Sequence, residues 1–318
     1  MTDIEKELIH YVNHFKDKTV FCNCHDDEHS NFFRYFMLNF ENFGLKRLLA
    51  THFEKEGQSY FFDVNRDNFS LPPRHIDGSY NWDKLFTLKK PLRENGDFRS
   101  QKSIDLLKRA DIVVTNPPFS LFREYMGQLI QYNKKFLIIG NINAVTYKDI
   151  FPLIKENKVW LGSGGAKGNM EFQVPESYSL IGASCKTDES GQKYIKMCNI
   201  RWFTNLDVSK RHKDLILHKH YNPKDYPKYD NYDAINVDKT VDIPIDYDGV
   251  MGVPITFLDK YNPFQFEIVN MLNRYILIGE KMRNEDIRLR HSYACNVDGK
   301  AKYARVLIKW KTTEAITS

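Results

Sequence analysis

The sequence predicts an α/β fold: a mostly parallel sheet with helices on both faces, followed by an irregular C-terminal region. Three observations lead there. Short apolar runs alternate with segments of helical periodicity from residue 4 to residue 139. Strands alternating with helices build βαβ units, which set strands side by side in parallel. After about residue 208 the alternation stops, and Pro, Tyr and Asp dominate, as in HYNPKDYPKYDNYDAINVDKTVDIPIDYDG at 220–249.

The elements follow in order. Residues 4–15 (IEKELIHYVNHF) carry apolar side chains at helical spacing, and 19–22 (TVFC) form a short apolar strand. A helix is predicted over 30–42, opening at Ser30 as N-cap and closing at Gly44. Residues 45–51 (LKRLLAT) read as a second strand, with 59–64 (SYFFDV) as its extension. Residues 101–110 are helical, 111–115 (DIVVT) a strand, 120–132 a helix and 135–139 (KFLII) a strand. Further on, EFQV at 171–174 and CNIRWFTNL at 198–206 read as strands of an antiparallel edge hairpin. A domain boundary is expected near residue 208, giving a 1–208 catalytic domain and a 209–318 region of turns set by Pro and Asn.

Composition narrows the function classes. With 42% apolar and 14% aromatic residues in 318, the chain can bury a real core, so global disorder is excluded. No run of about 18 apolar residues exists, so no membrane span is expected. The opening MTDIEKELIHYVNHFKDK has no apolar stretch after a basic start, so no secretory signal is expected. Five Cys are too few and odd in number for a disulfide scaffold, which points to reduced thiols and a cytoplasmic protein. The net charge of +5 permits a polyanionic partner without demanding one.

The sharpest signal is ADIVVTNPPFS at 110–120. An apolar strand ends at Thr115, and Asn116, Pro117, Pro118 and Phe119 follow before the next helix. Two prolines fix φ and remove two donors, and Pro117 biases Asn116 away from the helical region. The turn is therefore stiff and rich in acceptors. An Asn amide oxygen and a proline carbonyl can accept from one planar amine while an aromatic ring stacks on its heterocycle. This suits methylation of an exocyclic amine, whose lone pair is delocalised until the nitrogen pyramidalises. The tetrapeptide does not choose among DNA adenine, an RNA base and protein glutamine. A chain of this kind that binds DNA without catalysis is a further alternative.

Other candidates are less specific. Asp97 and Phe98, in a Gly-Asp-Phe turn before the 101–110 helix, are placed to meet the adenine of a nucleotide cofactor. Cys22, Asn23, Asp26 and Asp27 follow the first strand, where the ligand of a parallel sheet lies, and the two acids suit an ammonium or a ribose. Glu54, after the second strand, is a candidate ribose ligand. Cys22 and Cys24 are too close for a structural zinc site with His25 and His29, so no metal is expected. GSGGAKG at 162–168 lacks the Lys-Ser/Thr pair of a phosphate loop and reads as a linker or a lid near substrate. Residues 209–228 carry six Lys or Arg against two acids, and 281–311 carry nine against three. Tyr293, Tyr303 and Trp310 are interleaved with the second set, a composition suited to phosphates and bases.

The segments KTVFCNCHDDEHSNF, GDFRS, ADIVVTNPPFSLFREY, NIRWFTNLD, YDNYDAINV and GVMGVPITFLDKYNPFQFEIVN span nearly the whole chain. Together they resemble the EcoRI-type family of adenine-specific DNA methyltransferases. The resemblance implies a class I (Rossmann-like) fold that uses S-adenosylmethionine, and methyl transfer to N6 of a flipped adenine in double-stranded DNA. It makes Asn116, Pro117, Pro118 and Phe119 the catalytic turn and Asp97 the ligand of the cofactor adenine. It puts Asp26 and Asp27 at the cofactor's methionine end. It implies target recognition in 209–318, where Lys210, Arg211, Arg288, Arg290, Lys300, Lys302 and Arg305 are the candidate DNA contacts. A monomer is expected, with a companion restriction endonuclease that forms no stable complex with it. Related enzymes usually open with an Asn-Asp-Glu-Phe-Tyr-Thr-like segment that helps to cover the cofactor. Residues 1–8 do not match it, so either it precedes this sequence or another segment closes the site.

Overall fold

The computed structural model describes residues 2–25, 30–52, 59–92, 96–164, 168–174, 185–188, 191–230, 232–272 and 295–311. The chain forms two compact units, one of Met1–Asn141 with Gly162–Asp207, the other of Ile142–Leu161 with Val208–Ser318. The chain thus leaves the first unit at residue 142 and returns at 162, an excursion that the single boundary near 208 does not contain.

The first unit opens with α1 (Thr2–Leu8), a 3-10 turn and α2 (Val12–Phe15), where the periodicity predicts one continuous helix. Then come β1 (Thr19–His25), α3 (Asn31–Leu38), β2 (Arg47–His52), β3 (Tyr60–Asn65) and the short β4 (Lys90–Pro91). They are followed by α4 (Gln101–Arg109), β5 (Ile112–Thr115), α5 (Phe122–Gln131) and β6 (Lys135–Asn141). β7 (Gly168–Val174), β8 (Cys185–Thr187) and β9 (Lys193–Thr204) complete the unit. The strand order is β4-β3-β2-β1-β5-β6-β9, with β7 and β8 both pairing with β9.

The four central strands β2, β1, β5 and β6 run parallel, as the alternation predicts. β3 and β4 add antiparallel strands at one side, and β9 pairs antiparallel with β6 at the other. The four residues of β5 are all buried, as expected of a strand covered on both faces. Successive residues of β9 show that cover: Phe203 meets Phe122 of α5, ring centroids 5.0 Å apart, and Trp202 meets Phe32 of α3 at 5.9 Å. Adjacent strand residues point to opposite faces, so α5 and α3 lie on opposite sides of the sheet. A side chain at Gly140 would collide with Phe122 and Phe203, which explains a glycine in a central strand.

The second unit departs from the irregular region that its composition predicts. Long turns are present, but the segments between them build a sheet. After α6 (Phe151–Lys155) come β10 (Lys228–Tyr229), β11 (Tyr232–Asn236), β12 (Met251–Pro254) and β13 (Phe266–Leu272). A small hairpin of β14 (Asn296–Val297) and β15 (Lys300–Ala301) precedes β16 (Arg305–Trp310). The sheet order is β10-β11-β12-β16-β13, around a core that includes Ile235, Val253, Phe257, Phe266 and Ile308. The central strands here are short, of four to six residues, and their apolar pattern is diluted by the Pro- and Asp-rich turns around them.

Candidate active site

Strand order reverses between β1 and β5, since β1 continues to β2 on one side and β5 to β6 on the other. In a parallel sheet the ligand crevice opens at such a reversal, beyond the carboxyl ends of the strands. The Asn116–Phe119 turn leaves β5 there. Its foundation is rigid: the Thr115 hydroxyl donates to the Asn23 carbonyl, and the Tyr125 hydroxyl donates to Asn23 Oδ1. All three residues are buried, so the ends of β1 and β5 and the first half of α5 are tied together out of water. Asn23, a candidate cofactor ligand from the sequence, spends its amide oxygen on this tie.

Above that base, Pro117 is buried, Pro118 exposed and Phe119 half-buried. The Leu121 N–H donates to the Pro118 carbonyl at 2.9 Å, closing a 3-10 turn that leads into α5. Asn116 is half-buried, yet its Oδ1 atom is buried and has no hydrogen-bond partner among the described residues. Buried acceptors are nearly always satisfied, so an orphan in a stiff turn at a sheet's ligand edge calls for an explanation.

The Gly-Asp-Phe turn is brought to the same helix. Gly96 has φ +75°, a conformation that favours glycine. Phe98 is buried edge-on against Tyr125 at 5.1 Å, and Gln128 Nε2 donates to its carbonyl at 3.1 Å. Phe98 therefore anchors the turn. The Asp97 carboxylate accepts from Arg99 N and Nε at 2.8 Å and from Nη2 at 2.7 Å. These hydrogen bonds hold the Asp97 carboxyl below the usual carboxylate range. Arg99 also reaches Glu124 on α5 at 3.5 Å.

Cys22 lies wholly in the core, and burial pushes its thiol up, so it stays protonated and is no thiolate ligand. Asp26, Asp27 and Glu54 lie outside the described residues, as do Arg288, Arg290 and Tyr293.

One anchor escaped the sequence reading. Glu7 of α1 is fully buried and accepts from Ser163 N at 2.5 Å, Gly164 N at 3.0 Å and Tyr11 Oη at 2.9 Å. Burial and this carboxylate push the Tyr11 phenol up. A side chain at Gly162 would run into Glu7 and Trp202. The Gly-Ser-Gly start of the glycine-rich segment is therefore clamped to the N-terminal helix. A Glu on the apolar stripe with Leu8 and Tyr11 was the available signal.

The family described as adenine-specific methyltransferase EcoRI matches residues 1–311. The chain belongs to this family. It is 50% identical over 320 residues to the type II methyltransferase M.EcoRI of Escherichia coli, covering 97% of this chain and 91% of that one. It is 41% identical over 314 residues to the type II methyltransferase M.MgeORF184P of Mycoplasma genitalium, covering 96% and 92%. It is 40% identical over 312 residues to the type II methyltransferase M.MpnI of Mycoplasma pneumoniae, again covering 96% and 92%. No solved structure matches the chain.

In the second unit the basic candidates separate by burial. The Arg305 side chain is 8% exposed, 3.2 Å from Asp238, and donates to Asn236 Oδ1 and to the Tyr303 carbonyl. Arg305 is thus a framework group, because a guanidinium buried among acceptors is not presented to a phosphate. Arg211 is half-buried over the Trp160 ring, 3.8 Å from its centroid, with Nη2 2.6 Å from Asn157 Oδ1. Lys302 is half-buried, 3.4 Å from Asp238, and Lys210 half-buried in a 3-10 turn. Lys300 is exposed on the β14–β15 hairpin, and Tyr303 beyond it is 90% exposed. Trp310, read from the sequence with the base-stacking aromatics, instead packs on Phe266 at 4.5 Å and gives its N–H to the Pro244 carbonyl.

Proposed function

We propose that this family member transfers a methyl group from S-adenosylmethionine to N6 of an adenine flipped out of duplex DNA. The observation that carries the proposal is the buried, unpartnered Oδ1 of Asn116 in the diproline turn after β5. A flipped adenine offers an N–H donor to that acceptor, which none of the described residues provides. The residues fit the cofactor as well: Asp97, held ionised by Arg99, is an acceptor suited to an adenine amine, and it shares α5 with the catalytic turn.

When bound, the cofactor supplies an electrophilic methyl on a sulfonium. The chain's own work is positioning. Asn116 Oδ1 and the Pro117 carbonyl accept from the target amine and favour its pyramidal form, which frees the lone pair for in-line attack. Phe119 stacks on the base, and Thr115, Asn23 and Tyr125 keep the turn from yielding. The target must leave the duplex to reach such a turn. Exposed basic side chains such as Lys300 hold the phosphate backbone. The recognition of a specific site, with a restriction endonuclease of the same specificity alongside, belongs to the same proposal.

Asn116→Ala tests it. With tritiated S-adenosylmethionine and DNA, transfer is expected to fall on the order of 100- to 1000-fold, the usual effect of deleting one such group. Turnover near that of the wild type would remove Asn116 from the chemistry. Label entering protein or RNA but not DNA would overturn the substrate.

A further inference from the structure

β9 outruns the sheet that it closes. Its last pair with β6 is Ile200 with Asn141, at the carboxyl end of β6, where the ligand crevice opens. The strand begins seven residues earlier, at Lys193, so about 23 Å of it stands beyond that edge. β7 pairs with it along this length, from Ile200 with Gly168 to Lys193 with Val174, and β8 pairs with Lys193, Tyr194 and Ile195. The register also fixes the sides. Ile200 takes Asn141 of β6 and Gly168 of β7, so these two strands flank β9 on opposite sides. Tyr194 takes Gln173 of β7 and Lys186 of β8, so β8 is on the β6 side. It stands in line with β6, and β5, which leads into the Asn116–Phe119 turn, is the next strand over, about 5 Å away.

A bulge marks the point of departure. The pairing with β7 shifts register between Cys198 and Ile200, and Asn199 between them has φ +62°. A bulge bends a strand and re-aims its side chains. The partners of Cys198 and Ile200 are the consecutive residues Asn169 and Gly168, which face opposite ways. Cys198, Lys196 and Tyr194 thus turn from the α3 face, held by Trp202, to the α5 face, held by Phe203. The catalytic turn runs into α5. This row is polar. Lys186 on β8 lies over the Tyr194 ring, 5.6 Å from its centroid, and reaches Glu171 on β7 at 2.7 Å. Glu171 is directly opposite Lys196, and Lys186, Lys196 and Glu171 are exposed.

We propose that this three-stranded arm reads base pairs next to the flipped adenine, with Lys186, Tyr194 and Lys196 as specificity-determining residues. The inference rests on the proposed function and adds to it a recognition element outside the 209–318 region. Charge decides between the two kinds of DNA contact. A phosphate clamp needs cations in excess, whereas among the described residues of the arm Lys186, Lys193 and Lys196 stand beside Glu171 and Asp188. A row of donors and acceptors suits base edges instead, because each base pair shows a distinct donor and acceptor pattern in the major groove. Same-face residues of a strand recur about every 7 Å, close to two base-pair steps of about 3.4 Å.

Sequencing of methylated DNA tests this. Unmethylated DNA of mixed sequence is treated with wild type, Lys186→Ala, Tyr194→Ala or Lys196→Ala, and the modified adenines are read with their flanking bases. Wild type is expected to mark one sequence. At least one variant should lose discrimination at one or two positions beside the adenine, on the order of tenfold each, while its DNA affinity keeps the salt slope of wild type. An unchanged site in all three folded variants overturns the inference. So does a loss equal at every sequence, which with a salt slope lower by about one would mark phosphate contacts. If Tyr194→Ala unfolds, Tyr194→Phe, which keeps the ring and removes the hydroxyl, takes its place with the same outcomes. A wild-type protein that methylates no DNA would overturn the proposed function itself, whereas variants that keep the wild-type site leave that function standing.

Discussion

Leaving a buried acceptor without a donor destabilises a fold by about 1–3 kcal/mol, and Asn116 imposes that cost on the first unit, a cost that the proposed function assigns to the target amine to relieve. Asn116→Ala should therefore melt no lower than wild type while losing methyl transfer, a combination that a structural role would not give. A drop in melting temperature alongside the loss of activity would count against it. Asp97 offers the opposite case. Its carboxyl is held below the ordinary range, chiefly by the Arg99 side chain, so the folded state binds its proton less readily than the unfolded one. The stability from this pair is present above the ordinary carboxylate pKa and is lost as pH falls through the lowered folded value. Asp97→Asn should accordingly be less stable than wild type near neutrality, by under about 1 kcal/mol for so exposed a partner, with the gap closing in acid. Melting curves from about pH 7 down to about pH 3 check this, and a gap that widens in acid would contradict it.

At the scale of elements, the parallel core was legible because apolar runs and helical periods alternate there without interruption, and the turn after β5 because prolines declare themselves. What escaped were contacts between distant parts: β9 runs over Lys193–Thr204, longer than its apolar end at 198–206 suggests, since its first half is partly exposed in a hairpin. Arg305 and Trp310 read as surface groups because their type is usually exposed, whereas acceptors on Asn236, Asp238 and Pro244 draw them inward. The same holds for Glu7, whose carboxylate joins α1 to the start of the glycine-rich segment. Two backbone N–H groups and one phenol converge on it, and removing the acceptor of a buried donor costs about 1–3 kcal/mol. Glu7→Gln keeps the shape but turns an amide donor toward N–H groups. Chemical denaturation should register a loss of about 2–3 kcal/mol. An unchanged midpoint and slope would show that the amide holds the segment as well as the native side chain does.

Across the whole molecule the formal charge is only +5, too little to drive DNA binding through net charge alone, so the distribution of basic groups must supply it. Each Lys or Arg that meets a phosphate releases condensed counterions, and the logarithm of affinity falls with the logarithm of salt by about 0.9 per phosphate neutralised. Burial sorts the candidates before any measurement. Lys300 is exposed on its hairpin, and Arg305 is locked among Asn236, Asp238 and the Tyr303 carbonyl. Lys300→Ala should thus reduce the salt slope by about one and leave the melting temperature alone. Arg305→Ala should lower the melting temperature by removing a buried side chain bonded to Asn236, Asp238 and the Tyr303 carbonyl, and weaken DNA binding only in step with unfolding. Fluorescence anisotropy on a DNA duplex between about 50 and 200 mM salt, run beside thermal melts, separates the two. Should Arg305→Ala change the slope of a fully folded protein, its guanidinium must leave the Asp238 pair to reach the backbone, and the second unit would have to rearrange on DNA.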